Sequence, residues 1–88
     1  MTLRSVALPS YWIAFDLLPV TVKRLAEKQY DLFIKDPRHP SLQFKRVGSY
    51  WSVRVSQDYR ALGVRREDAI YWFWIGLHDE YQRIIDRA

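Results

Sequence analysis

The sequence predicts an α+β fold: a small, mainly antiparallel sheet of four or five strands, two N-terminal helices packed on one face, and a short C-terminal helix. Apolar residues recur at intervals of three and four before residue 36, as in an amphipathic helix, and alternate with polar residues after residue 40, as in strands. Helices followed by a run of hairpins favour this fold class over alternating βαβ units. At 88 residues there is room for one domain, residues 1–88.

The N-terminal part of the chain predicts one strand and two helices. Residues 3–8 are the strand, and Pro9 ends it because proline cannot donate a ladder hydrogen bond. Ser10 is a candidate N-cap of the first helix. Pro19 begins the second, amphipathic helix, and Asp36-Pro37 ends it because a residue before proline avoids the helical region.

The C-terminal part predicts a series of hairpins and a closing helix. The four strands are residues 41–47, 50–56, 59–64 and 69–75. Short turns separate them, the clearest being Gly48-Ser49. The last strand is apolar on both faces, so we expect it in the interior of the sheet. The polar segment that begins at His78 predicts the short final helix.

Positive charge is concentrated in one part of the chain. Residues 35–66 hold eight basic and two acidic side chains, a net charge of +6, whereas the whole chain carries +4 and the remainder therefore −2. Such segregation indicates a basic surface that faces a polyanion such as nucleic acid. A solvated basic face with no partner would give the same pattern.

Several classes of protein are disfavoured by composition. The chain has no cysteine, which excludes disulfides and thiolate metal sites. Its first residues lack the apolar stretch of a signal peptide. The apolar run at residues 70–77 is shorter than the ~20 residues that span a bilayer. We therefore expect a cytoplasmic protein with no membrane partner.

Strand alternation selects the basic residues that could share a cleft. Arg54 falls on the polar face of its strand, and Arg60 shares a face with Leu62, where a charge is costly unless it is paired or lines a cleft. Lys45 and Arg46 point to opposite faces, so only one can reach a given cleft, and Lys45 is the candidate if Phe44 faces the core. For each arginine, a surface or capping role is the alternative.

Two aromatic or titratable groups at the end of the chain are further candidates. His78 follows the last strand, where an imidazole could accept or donate a proton near neutral pH. Tyr81 lies on the same helix face, three residues on. The alternative is that His78 is only a first-turn helix residue.

Trp51 is either a core residue or a platform for unstacked bases.

The sequence contains no glycine-rich phosphate loop and no carboxylate cluster with metal-ligand spacing. What remains is a set of Arg, Lys, His and Tyr side chains. RNA cleavage suits such a set because the ribose 2′-OH is an internal nucleophile. The protein then has only to move protons and to stabilise the charged phosphorane.

The segment WSVRVSQDYRALGV, followed by an apolar strand and GLHDEY, resembles the RelE/ParE superfamily of bacterial type II toxin–antitoxin systems. The resemblance runs from about Ser10 to Ile85, and its specific part is the Arg-x(5)-Tyr-Arg hairpin with the terminal His and Tyr. It implies a RelE-like fold and metal-free cleavage of messenger RNA on the ribosome, with no small-molecule cofactor. It also implies a cognate antitoxin that covers the basic cleft.

The resemblance assigns roles to individual residues. Arg54 and Arg60 match the arginines of the two hairpin strands, which would hold the scissile phosphate. His78 and Tyr81 resemble the C-terminal His/Tyr pair of YoeB-like members, although two acidic residues intervene here. Lys45 matches a basic position of RelE loosely and is the other candidate for the general base.

Four further basic residues are expected to bind RNA: Lys35, Arg38, Arg46 and Arg65. Two other functions remain open at this point. A ParE-like toxin would share the fold but bind and inhibit DNA gyrase. A non-catalytic RNA-binding domain would keep the basic surface without cleavage.

Overall fold

The computed structural model describes residues 3–87 and contains helices and strands in the predicted order. The elements are β1 (Arg4–Ala7), α1 (Pro9–Asp16), α2 (Val20–Lys35), a 3₁₀ turn (Pro40–Leu42), β2 (Lys45–Val47), β3 (Tyr50–Arg54), β4 (Tyr59–Arg66), β5 (Ala69–Leu77) and α3 (His78–Asp86). The α+β fold class is confirmed.

The five strands form one mixed sheet in the order β1-β5-β4-β3-β2. Strands β2 to β5 pair antiparallel through consecutive hairpins. Strand β1 pairs parallel with β5, with Arg4 opposite Ala69. Strand β5 therefore lies in the interior of the sheet, between β1 and β4, as its two apolar faces predict.

Helices α1 and α2 cover one face of the sheet and enclose the main hydrophobic core. Phe33 of α2 packs edge-on against Trp72 of β5, with ring centroids 5.3 Å apart. Val53 and Ala61 contribute from β3 and β4, where they are direct cross-strand partners. The regular spacing of apolar residues in α2 produces this contact, because residues three and four apart share one helix face.

Helix α3, the short C-terminal helix, lies on the opposite face of the sheet from α1 and α2. Leu62 of β4 follows the core residue Ala61, so its side chain points to the other face of the sheet. It is nevertheless fully buried, and it lies outside the main hydrophobic cluster. Tyr81 of α3 is also buried and lies outside that cluster. The chain reverses where the backbone N–H of His78 donates to the carbonyl of Asp58 at 2.8 Å, and α3 then crosses β4 and β5.

Strand β2 is shorter than predicted, because residues 41–44 do not join the sheet. Pro40–Leu42 form a 3₁₀ turn, and Gln43 then adopts a left-handed conformation with φ of 45°. The side chain of Leu42 is fully buried, which holds the turn against the core.

The predicted cap of the first helix is also wrong. Leu8 occupies the N-cap position of α1, and Ser10 lies inside the helix. The Ser10 hydroxyl donates instead to the carbonyl of Phe73 at 2.8 Å. This hydrogen bond joins α1 to β5, so tertiary contact has displaced the local cap.

Candidate functional site

The candidate site is built on two arginines that face each other across a hairpin. Arg54, the last residue of β3, is the cross-strand partner of Arg60 in β4. Their neighbours Val53 and Ala61 point into the main core, so both arginines point to the other face. Like charges directly opposite each other destabilise a sheet, which an anion bound between them would relieve.

Arg60 is fixed in place by the hairpin loop. Its Nη1 donates to three backbone carbonyls, those of Ser56 (2.6 Å), Tyr59 (2.9 Å) and Gln57 (3.2 Å). Within residues 3–87 no other nitrogen of this guanidinium makes a hydrogen bond. The side chain therefore caps the loop and still has Nη2 and Nε for an external acceptor.

The electrostatic environment of Arg60 also suits an anion. Partial burial lowers the pKa of its guanidinium, and the positive charge of Arg54 lowers it further. Tyr81 and Asp58 act in the opposite direction. A phosphate between the arginines would supply the compensating negative charge that this cross-strand pair lacks.

His78 and Tyr81 lie at the same end of the sheet. Arg60 pairs with Gly76 of β5, and His78 begins α3 two residues later. The rings of His78 and Tyr81 are 5.2 Å apart between centroids, at an angle of 43°. Tyr81 is only 5% exposed, so its ring has no face free for a base, and its charge when ionised acts on Arg60.

Lys45 stands at the edge of this group. It is the cross-strand partner of Ser52, which shares a face with Arg54 two residues along β3. Its side chain is exposed. The structure thus places Lys45 on the face that carries Arg54 and Arg60, diagonally across from Arg54.

The four residues expected to bind RNA lie elsewhere. Arg46 is the partner of Trp51 on the helix-covered face, and its Nε donates to the carbonyl of Gly48 at 3.0 Å. Lys35, Arg38 and Arg65 line a separate cleft on that side of the sheet. The basic residues of the sequence therefore form two groups, one on each face.

The site face contains a further cleft that the sequence analysis missed. It has a volume of about 460 Å³ and lies between β3 and α3, with Tyr50, Arg83 and Arg87 in its lining. Arg83 lies in the last turn of α3, and Arg87, four residues on, is the residue that caps the end of the helix. That spacing is visible in the sequence, but only the position of α3 over the sheet makes it relevant.

Residues 3–87 contain no group of three or more His, Cys, Asp or Glu side chains that could hold a metal ion. Within the same residues, every helix is too short or too polar to cross a membrane.

The fold is shared with solved bacterial and archaeal structures. YafQ of Escherichia coli is 10% identical, with a TM-score of 0.70, and the match covers 88% of this chain and 94% of YafQ. RelE in the RelE–RelB complex of Pyrococcus horikoshii is 16% identical, with a TM-score of 0.68 over 88% of this chain and 96% of RelE. The chain has the RelE-like toxin fold. The family models and the curated protein sequences contain no match to it.

The RelE-like fold agrees with the resemblance found in the hairpin motif. A YoeB/ParE toxin of Agrobacterium tumefaciens also has it, with 12% identity and a TM-score of 0.65 over 85% of this chain and 98% of that toxin. Proteins named for RelE, YoeB and ParE thus share one RelE-like architecture. The fold alone does not distinguish the activities of these proteins, whereas the chemistry of the site can.

Proposed function

We propose that this protein is the toxin of a toxin–antitoxin pair and an endoribonuclease that cleaves messenger RNA on the ribosome. The observation that carries the proposal is the cross-strand pair Arg54 and Arg60, which has no carboxylate partner in the described residues, with His78 at the same end of the sheet. Two guanidinium groups side by side on one sheet face suit a phosphodiester, because each can present paired N–H donors to phosphate oxygens.

The reaction follows from the chemistry of these groups. The ribose 2′ oxygen attacks the adjacent phosphorus, and a base accepts the 2′ proton as the new P–O bond forms. Arg54 and Arg60 stabilise the negative charge that develops on the phosphorane oxygens. The bond to the 5′ oxygen then breaks and this oxygen accepts a proton, which leaves a 2′,3′-cyclic phosphate and a free 5′ hydroxyl.

His78 and Lys45 are the groups that could move protons. His78 begins α3 at the end of the sheet that carries the arginine pair, and its backbone N–H donates to the carbonyl of Asp58. Lys45 approaches from the exposed edge strand, on the other side of Arg54. We assign His78 the transfer nearest Arg60, with Tyr81 as its positioning residue, and Lys45 a contact to the phosphate or the second proton transfer.

The proposal includes partners. An antitoxin would cover the part of the sheet face that carries Arg54 and Arg60, as expected for a protein whose free site is toxic. Structures of RelE with RelB from Pyrococcus horikoshii and Methanococcus jannaschii have the same fold as this chain, with TM-scores of 0.68 and 0.64. The ribosome and messenger RNA are the proposed targets, and the cytoplasm the proposed location.

Controlled expression in bacteria separates this function from inhibition of DNA gyrase. Cells are pulse-labelled with an amino acid and with thymidine after induction. We expect amino-acid incorporation to stop first, because cleaved messenger RNA ends translation directly. An earlier stop in thymidine incorporation would contradict the proposal and support the gyrase alternative. Co-expression of the gene next to the toxin gene tests for the antitoxin, which should restore growth.

A further inference from the structure

A second basic cleft lies away from the candidate site. It has a volume of about 550 Å³, and three cations, Lys35, Arg38 and Arg65, contribute to its lining around Trp51. We call it the Trp51 cleft. Arg54 and Arg60 lie where β3 ends and β4 begins, whereas Trp51 and Arg65 lie at the other end of the same hairpin and on the other face.

Among the residues that the structure describes, the cations of the Trp51 cleft have no carboxylate partner. The one ion pair among residues 3–87 joins Arg4 to Asp68, at 3.8 Å. Asp36 also lines the cleft, but its Oδ1 accepts a hydrogen bond from the backbone N–H of Arg38. The cleft therefore has three exposed cations and one carboxylate, and that carboxylate already accepts a backbone hydrogen bond. Its surface carries a net positive charge that can bind an anion.

Trp51 positions one of these cations and does not offer a stacking surface. The guanidinium of Arg65 lies 5.2 Å from the centre of the Trp51 ring. Phe44 packs against the same ring with centroids 4.9 Å apart and planes 32° apart. A nucleobase would have to displace one of these neighbours, so the cleft favours contacts to phosphates over contacts to bases.

Stacking of this kind also prepares Arg65 for binding. A guanidinium held over an indole ring loses less side-chain freedom when it forms hydrogen bonds. Its N–H edge stays exposed to solvent, as Arg65 itself is. Lys35 is the last residue of α2, and Arg38 lies in the loop that follows it. Together with Arg65 they place three positive charges around one cleft.

We infer that the Trp51 cleft is a second RNA-binding site, which takes backbone phosphates of double-helical RNA. The inference depends on the proposed function in that RNA is the target. Double-stranded RNA is recognised largely through its shape and phosphates, which matches a cationic cleft with no free base platform. An acidic peptide would gain affinity from apolar anchors in pockets, but the aromatic rings here are packed on each other and on the core.

The test is binding of a fluorescein-labelled RNA duplex, followed by anisotropy over a series of salt concentrations. The cleft variant is Lys35→Ala/Arg38→Ala. The matched control is Arg24→Ala/Lys28→Ala, which removes one lysine and one arginine from exposed positions of α2 outside the cleft. We expect the cleft variant to lose about tenfold in affinity and to reduce the salt slope by roughly 2, while the control stays within about twofold of wild type.

Three outcomes contradict the inference: equal losses in the two double variants, no binding of the duplex by the wild-type protein, or binding that depends on duplex sequence. A glutamate-rich peptide serves as the second probe. If it binds more tightly than the duplex and the cleft variant abolishes its binding, the cleft accepts an acidic protein partner and not RNA.

Anisotropy measures binding of the duplex and does not depend on cleavage. The proposed function and the assignment of the Trp51 cleft can therefore be contradicted independently of each other. A protein that binds the duplex through the cleft and cuts no messenger RNA contradicts the proposed function and leaves the cleft assignment standing. A protein that cuts messenger RNA but binds the duplex equally well with and without Lys35 and Arg38 contradicts the cleft assignment alone.

Discussion

Arg60 combines a structural contact with the proposed contact to substrate. Its Nη1 donates to the carbonyls of Ser56, Gln57 and Tyr59 around the β3–β4 turn, and among residues 3–87 its Nε and Nη2 have no hydrogen-bond partner. A simple truncation removes both contacts at once, so a loss of activity in Arg60→Ala would not distinguish them. The conservative substitution separates the two.

Arg60→Lys should keep the fold and lose activity. An ammonium group can still donate to the loop carbonyls, but it cannot make a bidentate contact with phosphate. We expect cleavage to fall by about 10²-fold or more, with the free energy of unfolding within about 1 kcal/mol of wild type. Arg60→Ala should show the same loss of cleavage and be less stable by about 1–3 kcal/mol in denaturant unfolding. A Lys variant that cuts at the wild-type rate would remove Arg60 from the catalytic set.

The two histidines provide a matched pair for the proton-transfer assignment. His78 lies next to Tyr81 in the site, whereas Nδ1 of His39 is 2.9 Å from the hydroxyl of Ser41 in an exposed turn. We expect His78→Gln to reduce cleavage by about 10²-fold or more and His39→Gln to leave it unchanged. If both variants retain full activity, the proton transfers fall to Lys45.

At the scale of elements, α1 contains a buried phenol that links stability to pH. Burial, with the nearby Tyr30 and Glu27, raises the pKa of Tyr11 to about 12. The unfolded chain ionises this group near pH 10. The neutral phenol is therefore favoured in the folded state, and its contribution to stability, complete below pH 10, is lost as the pH rises from 10 to 12.

Tyr11→Phe removes this titration and keeps the ring in the core. We expect the wild-type protein to lose about 1.4 kcal/mol relative to the Phe variant between pH 9 and pH 11, measured by denaturant unfolding. The comparison at pH 7 is the internal control for packing. A difference between the two proteins that stays constant from pH 7 to pH 11 would contradict the assignment.

The helices and strands also differ in how far the local sequence determines their bounds. The bounds of α2 follow from Pro19 and from Asp36-Pro37, because proline restricts its own backbone and that of the residue before it. Residues 41–44 alternate like a strand, yet the buried side chain of Leu42 and the left-handed Gln43 hold them in a turn. Tertiary contact decides the backbone there, so local pattern could not predict it.

For the whole molecule, charge in the sequence predicts that a basic surface exists but not how it is divided. Alternation along β3 and β4 places Arg54 and Arg60 on one face and Arg65 with Trp51 on the other. That Arg54 and Arg60 share one face was therefore predictable from the sequence. The cleft lined by Arg83 and Arg87 was not predictable, since it depends on the path of α3 across the sheet.

The two faces together suggest how the molecule would use RNA. The face with Arg54 and Arg60 would hold the RNA strand to be cut, and the Trp51 cleft would hold a separate double-helical segment of RNA. Because the two lie at opposite ends of one hairpin, a substrate that offers both kinds of RNA would be favoured over short free RNA. A translating ribosome offers both.

The most direct measurement is cleavage of end-labelled messenger RNA on purified translating ribosomes, with the antitoxin-free protein. We expect the wild-type protein to cut within the codon at the ribosomal A site and to leave a 2′,3′-cyclic phosphate and a 5′ hydroxyl. Arg60→Lys should cut at least about 10²-fold more slowly under the same conditions. Intact messenger RNA after incubation of the folded wild-type protein with active ribosomes would contradict the proposed enzyme.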